Sequence, residues 1–292
     1  MTKTPSNLIG REVVRGLIVT FVPKSGKHAI AEVVFGLVFT KAFEPHQIEI
    51  LVRNHGLWKE HLPRVARGGG FQVMFGSGFP PPEIQLPMEA GVSFERVNPD
   101  GTLNWRLKIE QNSVFVNCLD YTRWSEIWGR AREYLKLVVS LTGLEGHVTS
   151  GLLQYIDVFE WSRPVEEFDI NELLRVGNEY IPASMADRGH LFHLHQGWYS
   201  PDSGSRRLVR VHVDGVEEVV FSGDTNNPHR VSPIVKIDTY LQDQLKEFVP
   251  TIDMFDSGWI DSSFSDMHNE NKKLLGAFLT DELCGRIGLN VE

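Results

Sequence analysis

Histidines are concentrated in one short stretch, His190-Leu-Phe-His193-Leu-His195, and these are the side chains of the sequence best placed to do chemistry. Successive side chains of a β-strand point to opposite faces, so His193 and His195 share one face and His190 lies on the other. Two imidazoles two residues apart on a strand can bring ring nitrogens to one metal ion. The stretch therefore predicts a candidate site for a divalent metal.

The hairpin that follows decides whether a third ligand is available. Depending on its register, it places Arg210, His212 or Val213 opposite the histidines. In the favourable register His212 joins His193 and His195 as a candidate metal ligand. The simpler interpretation is that these are strand histidines on a half-exposed face, because a zinc site usually needs three or four ligands and no others can be named.

Other catalytic signatures are missing from the sequence. It contains no Gly-x-Ser-x-Gly elbow, and neither Cys118 nor Cys284 lies in a nucleophile motif. His46, His55 and His61 do not have the His-Glu-x-x-His spacing of a metalloprotease. We therefore assign no catalytic residue and expect no cofactor other than the candidate metal.

The composition limits the class of partner. The 292 residues are 41% hydrophobic and 23% charged, which suits a globular chain with a sizeable core, and the net charge is -9. An acidic surface repels phosphate backbones, so nucleic acid is disfavoured. The first thirty residues lack the apolar core of a signal peptide, and no run of about 20 apolar residues could cross a bilayer. We expect a cytoplasmic protein that is not anchored in a membrane.

The elements that must position these side chains can be assigned from hydrophobic periodicity. A β-branched run at Arg11–Val22 and the run Ala29–Thr40 predict strands. Helical spacing then predicts a helix from about Pro45 to His61. A glycine-rich stretch follows this helix. The remaining predicted elements before residue 150 are strands at Phe71–Phe75, Gly91–Val97, Leu103–Ile109 and Val114–Leu119, and a helix at Arg123–Thr142.

The second half repeats this order of elements. A strand at Leu152–Trp161 leads to a short helix near Ile170–Val176, and the chain ends in a helix at Met267–Arg286. Turns at Asp214–Gly215 and Gly223–Pro228 separate the last strands of a meander. The four predicted meander strands are His190–Tyr199, Arg207–Val213, Glu217–Ser222 and Val231–Tyr240.

This order predicts an α+β fold with antiparallel meander sheets backed by helices. We divide the chain into an N-terminal extension and strand (1–27) and two β–α–ββββ–α halves (28–150 and 151–292). The order is similar to the saddle-like fold of TATA-binding proteins and to the helix-grip fold. A curved sheet covered on one face leaves the other face free to recognise a partner, although a fold alone does not determine function.

Four stretches carry a resemblance to a known family. They are AIAEVVFGLVF at Ala29–Phe39, QNSVFVNCLDYTRWSEIW at Gln111–Trp128, LLQYIDVF at Leu152–Phe159 and FLTDELCGRIG at Phe278–Gly288. Together they resemble an uncharacterised set of prokaryotic proteins described as sporadically distributed. The chain departs from the family pattern in a longer segment before His28 and in Cys118, where tryptophan is usual.

The resemblance implies no catalytic residue, because the family has none established. Its patchy occurrence implies an accessory gene, such as a component of a mobile defence or toxin-neutralising system. We therefore expect a non-enzymatic binding or regulatory protein that holds a protein partner or a small apolar ligand. The alternative is a metal-dependent hydrolase centred on His193 and His195.

Overall fold

The computed structural model describes residues 20–67, 91–201, 205–221 and 229–289. The helices are α1 (Pro45–Arg53), α2 (Trp124–Thr142), α3 (Trp259–Phe278) and α4 (Asp281–Arg286). The strands are β1 (Phe21–Pro23), β2 (Ile30–Phe39), β3 (Arg64–Arg67), β4 (Val92–Val97), β5 (Leu103–Glu110), β6 (Ser113–Cys118), β7 (His147–Trp161), β8 (Phe192–Pro201), β9 (Ser205–Phe221) and β10 (His229–Pro250). Single 3₁₀ turns lie at His55–Leu57, Val165–Glu167, Ile170–Glu172 and Ala183–Met185.

All ten strands belong to one sheet with the order β3-β4-β5-β6-β2-β7-β10-β9-β8, and β1 extends it beside β7. Every pairing is antiparallel. The predicted α+β fold with an antiparallel sheet is therefore confirmed. β2 and β7, the first strands of the two predicted halves, pair at the middle of the sheet, and each half continues outward from there.

The order of elements matches the prediction in the first half but not in the second. Between β2 and α2 lie α1 and four strands, of which β3 at Arg64–Arg67 is one. The predicted strand at Phe71–Phe75 and most of the one at Arg11–Val22 lie outside the described residues. After β7 the second half has three long strands rather than four, because the two predicted strands around Asp214–Gly215 are one.

The predicted turn at Asp214–Gly215 is wrong. Asp214 pairs with Lys236 of β10 and with His193 of β8 in the middle of β9. A Cβ atom at Gly215 would lie 2.2 Å from the backbone oxygen of His190. Glycine is needed here because another backbone comes close, a role that the sequence cannot distinguish from a turn.

Two predicted helices also have other bounds than expected, and α3 begins at Trp259 rather than at Met267. Only a 3₁₀ turn forms at Ile170–Glu172, and the C-terminal helix is interrupted between α3 and α4. The cause is shared, because Leu174 and Leu279 form an antiparallel β-bridge and so leave the helical conformation. The helix predicted to reach His61 likewise ends at Arg53.

Alternation along the strands divides the sheet into two faces. Odd-numbered residues of β2 such as Phe35 point toward α2 and α3, where the Phe35 ring lies 5.6 Å from Trp128 and 6.0 Å from Phe264. All three are buried, and each such large side chain contributes about 1.5–3 kcal/mol through burial. We call this the helix face. It carries the hydrophobic core.

The opposite face, which we call the distal face, carries the alternate side chains. One row of it crosses five neighbouring strands through directly paired residues. Among the described residues no helix packs against this face. Its row consists of Val34, Gln154, Tyr240, Arg210 and Gly197.

Candidate functional site

The histidines of β8 lie on the distal face, as alternation predicts for His193 and His195. Of the registers left open by the sequence, the structure has His195 directly opposite His212 and His193 opposite Asp214. His193 Nδ1 is bonded to a carboxylate oxygen of Asp214, which is nearly buried. His190 precedes β8, and its Nε2 lies 2.7 Å from a carboxylate oxygen of Glu217.

This arrangement does not fit a three-histidine metal site. Two imidazoles on one tetrahedral zinc ion have ring centroids about 5 Å apart, given a Zn–N bond of about 2 Å. The rings of His195 and His212 are 3.7 Å apart and touch edge to face. The His193 ring is 6.1 Å from His195 and 6.2 Å from His212. In the described part of the chain, no group of three or more His, Cys, Asp or Glu side chains is placed to hold a metal.

A pocket of about 190 Å³ lies beside His193 and His195, and most of its lining comes from β9 and β10. Strand pairing brings its side chains together, because His212 lies opposite Asp238 and Arg210 lies opposite Tyr240. β7 adds a fifth side chain opposite Tyr240. The lining residues are Gln154, Arg210, His212, Asp238 and Tyr240.

Asp238 is the acidic group of the pocket. Gln154, which is only 2% exposed, donates its amide nitrogen to an Asp238 oxygen at 2.8 Å. Burial raises the pKa of Asp238 to about 6, against the effects of Gln154 and Arg210, and the charges of Asp214 and Glu32 raise it further. The carboxyl is therefore ionised at neutral pH but poorly compensated.

Arg210 is the cationic group of the pocket. Its guanidinium carbon lies 4.0 Å from the centre of the Tyr240 ring, so the planar group is held by a cation–π contact. Its Nε is buried and has no hydrogen-bond partner in the part of the chain that the structure describes. Nor does Arg210 form an ion pair with any described carboxylate. A desolvated donor without a partner is costly and is satisfied when a ligand supplies an acceptor.

His212 and Tyr240 are neutral members of the pocket. Burial lowers the pKa of His212, and the neighbouring His195 lowers it further. Its imidazole is therefore neutral at neutral pH and can donate or accept one hydrogen bond. Burial raises the pKa of the Tyr240 phenol, and Arg210 offsets part of that rise. With Gln154, the pocket thus combines one cation, one anion and three neutral hydrogen-bonding groups.

Sequence reasoning found His212 but missed the other four residues of this pocket. Asp238 and Tyr240 are two apart on β10, and Arg210 and His212 are two apart on β9, so each pair shares a face. This spacing was visible in the sequence. The register that joins the two strands was not, because the predicted turn at Asp214–Gly215 divided β9.

His46 and His55, two of the three histidines compared with the metalloprotease spacing, lie in different surroundings. The His55 ring lies 5.4 Å from Phe94, and its Nε2 lies 2.7 Å from the backbone oxygen of Leu62. His46 is exposed beside Glu44. They form no common site.

No family model matches the sequence, and neither the curated proteins nor the solved structures contain a match. The resemblance to the sporadically distributed prokaryotic family thus stays a hypothesis. None of the described helices has the length and apolar character needed to cross a membrane.

Proposed function

We propose that this chain is a non-enzymatic binding or regulatory protein that holds a small ligand in the distal-face pocket. In this proposal the sheet has the saddle-like curvature expected from its order of elements, with the pocket in its uncovered surface. The family resemblance adds that the protein serves as an accessory component of a mobile defence or toxin-neutralising system.

One observation carries the proposal: Arg210 and Asp238 face the same pocket without an ion pair. Structural charges in a protein interior are normally paired, since an uncompensated charge in a partly buried position lowers stability. Arg207 on the helix face follows this rule, because it is bonded to both Asp243 and Glu270. Charges left uncompensated in a pocket are typical of a binding site.

The lining changes the expected chemistry of the ligand. A small apolar ligand would remove water from Arg210 and Asp238 without replacing its hydrogen bonds. We therefore propose a polar ligand. The metal-dependent hydrolase receives less support, because His195 and His212 contact each other and His193 is bonded to Asp214.

Nucleic acid remains the less favoured partner. On the distal face, Arg64 and Arg106 both pair with Glu95, and Lys108 pairs with Glu110. Two carboxylates thus offset most of the charge of these three cations, which weakens the attraction to a phosphate backbone.

Native mass spectrometry of the gently purified full chain tests the proposal. We expect a small-molecule adduct on the wild type that is lost from the Arg210→Ala, Tyr240→Ala double variant. A matched control exists, because Arg206 lies over the Tyr199 ring at 4.8 Å on the same face but outside the pocket. The Arg206→Ala, Tyr199→Ala variant should keep the adduct. An adduct on all three proteins, or on none, would contradict the proposal.

A further inference from the structure

We infer that the ligand of the distal-face pocket is a small zwitterion of the free amino acid class, whose carboxylate binds Arg210 and whose ammonium group binds Asp238. The inference rests on the proposed function and names the chemistry of its ligand. Five steps support it: the cation, the anion, their spacing, the neutral side chains and the size of the pocket.

Arg210 is suited to a carboxylate. Its guanidinium carbon lies 4.0 Å from the centre of the Tyr240 ring, so the ring holds the group in the pocket without supplying an opposite charge. A planar fork of donors matches the two oxygens of a carboxylate better than it matches a single acceptor. Arg210 lines the pocket, and no described carboxylate of the chain forms an ion pair with it.

Asp238 is suited to an ammonium group. Gln154 donates to one of its oxygens, and no described residue donates to the other. Asp214 and Glu32 add negative charge around it. Glu32 is itself mostly buried and accepts a hydrogen bond from Asn117 at 2.7 Å. This side of the pocket therefore favours a cationic group over a second anion.

The spacing of the two groups suits one short ligand. Asp238 lies opposite His212, and Arg210 is two residues away on the same face of β9. Such diagonal neighbours lie about 7–8 Å apart at their backbones. The two charges are near enough to affect each other but form no ion pair. The carboxylate and ammonium groups of an α-amino acid are joined through a single carbon, so one molecule can bridge them.

The neutral side chains and the volume define the rest of the ligand. His212 and Gln154 offer hydrogen bonds at either side of Asp238, and the ring of Tyr240 is apolar. A cavity of about 150 Å³ holds a benzene molecule. A pocket of about 190 Å³ is therefore large enough for an amino acid of medium size but not for a nucleotide or a folded peptide.

Isothermal titration calorimetry of the full chain with each of the common L-amino acids tests the inference. We expect saturable binding by at least one of them. For each amino acid that binds, two analogues are then titrated. The primary amide lacks the carboxylate charge, and the corresponding acid without the amino group lacks the ammonium charge. Each analogue should bind about ten- to a hundredfold more weakly, as expected for the loss of a charge-assisted hydrogen bond.

Variants assign the two charges to their side chains. Arg210→Gln should weaken binding of the amino acid about tenfold or more but leave binding of its amide unchanged. Asp238→Asn should weaken binding of the amino acid and of its amide, which both carry the ammonium group, but leave binding of the acid without an amino group unchanged. Arg206→Gln and Glu160→Gln, which change charges elsewhere on the distal face, should leave binding unchanged.

Three results overturn the inference: no amino acid binds, the amide binds as tightly as the amino acid, or Arg210→Gln weakens both equally. These results leave the proposed function standing if the pocket-dependent adduct is still found by native mass spectrometry. An adduct that persists on the Arg210→Ala, Tyr240→Ala variant refutes the proposed function itself.

Discussion

The Asp157 carboxyl provides the sharpest test of the packing between the sheet and its helices. It lies on the helix face of β7, is 1% exposed, and neither of its oxygens has a hydrogen-bond partner in the described residues. Burial raises its pKa from the ordinary 3.8 to about 7. The same burial raises the pKa of nearby Tyr121 to about 12, and the charge of Asp157 adds to that rise.

The direction of the pH dependence follows from this shift. Well below pH 4 the carboxyl is protonated in both the folded and the unfolded chain, so folding buries no charge. As the pH rises from 4 to 7 the unfolded chain loses the proton more readily, so the free energy of unfolding falls. The cost is about 2 kcal/mol at pH 5 and about 4 kcal/mol at pH 8, a difference of about 2–3 kcal/mol.

Asp157→Asn removes the charge and keeps the shape. The stability of this variant relative to the wild type should therefore rise by about 2–3 kcal/mol between pH 5 and pH 8. Urea denaturation at a series of pH values measures the free energy of unfolding of both proteins. Asp256→Asn, at an exposed carboxylate, is the control and should show no such rise. A stability difference that stays constant with pH would refute the reasoning.

Three further predictions concern the second half of the sheet. Arg207→Ala should lower stability by about 3–5 kcal/mol, because it leaves the buried Asp243 unpaired, whereas Arg206→Ala next to it should cost less than about 1 kcal/mol; thermal unfolding compares them. Gly215→Ala should cost about 1–3 kcal/mol by overpacking against the adjacent strand, and Gly189→Ala, with open space around it, should not. Zinc titration followed by elemental analysis of untagged protein should give no stoichiometric metal, and the same result is expected after alanine substitution of each of three histidines, namely His193, His195 and His212.

The sequence was sufficient where a residue has one local role. Gly101 adopts a φ of 87° in the turn between β4 and β5, where Asn98, Asp100 and Gly101 are all residue types that tolerate positive φ. Gly143 ends α2 with a φ of 55°. Both conformations are local and strongly favour glycine, so the residue type alone indicates them.

The sequence was insufficient where the role of a residue depends on a distant part of the chain. Gly215 is required by the backbone of His190, which lies just before β8, and Leu279 leaves the helix to pair with Leu174. The pocket has the same origin, because Arg210 and Asp238 meet only through the register of β9 and β10. A single sequence does not specify such long-range pairing, although it does specify the alternation that makes the pairing productive.

A crystal structure of the protein with its bound small molecule tests the central claim most directly. Electron density for the molecule should occupy the space between β9 and β10, with polar atoms about 3 Å from the Arg210 guanidinium and the Asp238 carboxyl. Density for that molecule at any other place, with these two side chains left uncontacted, would contradict the account.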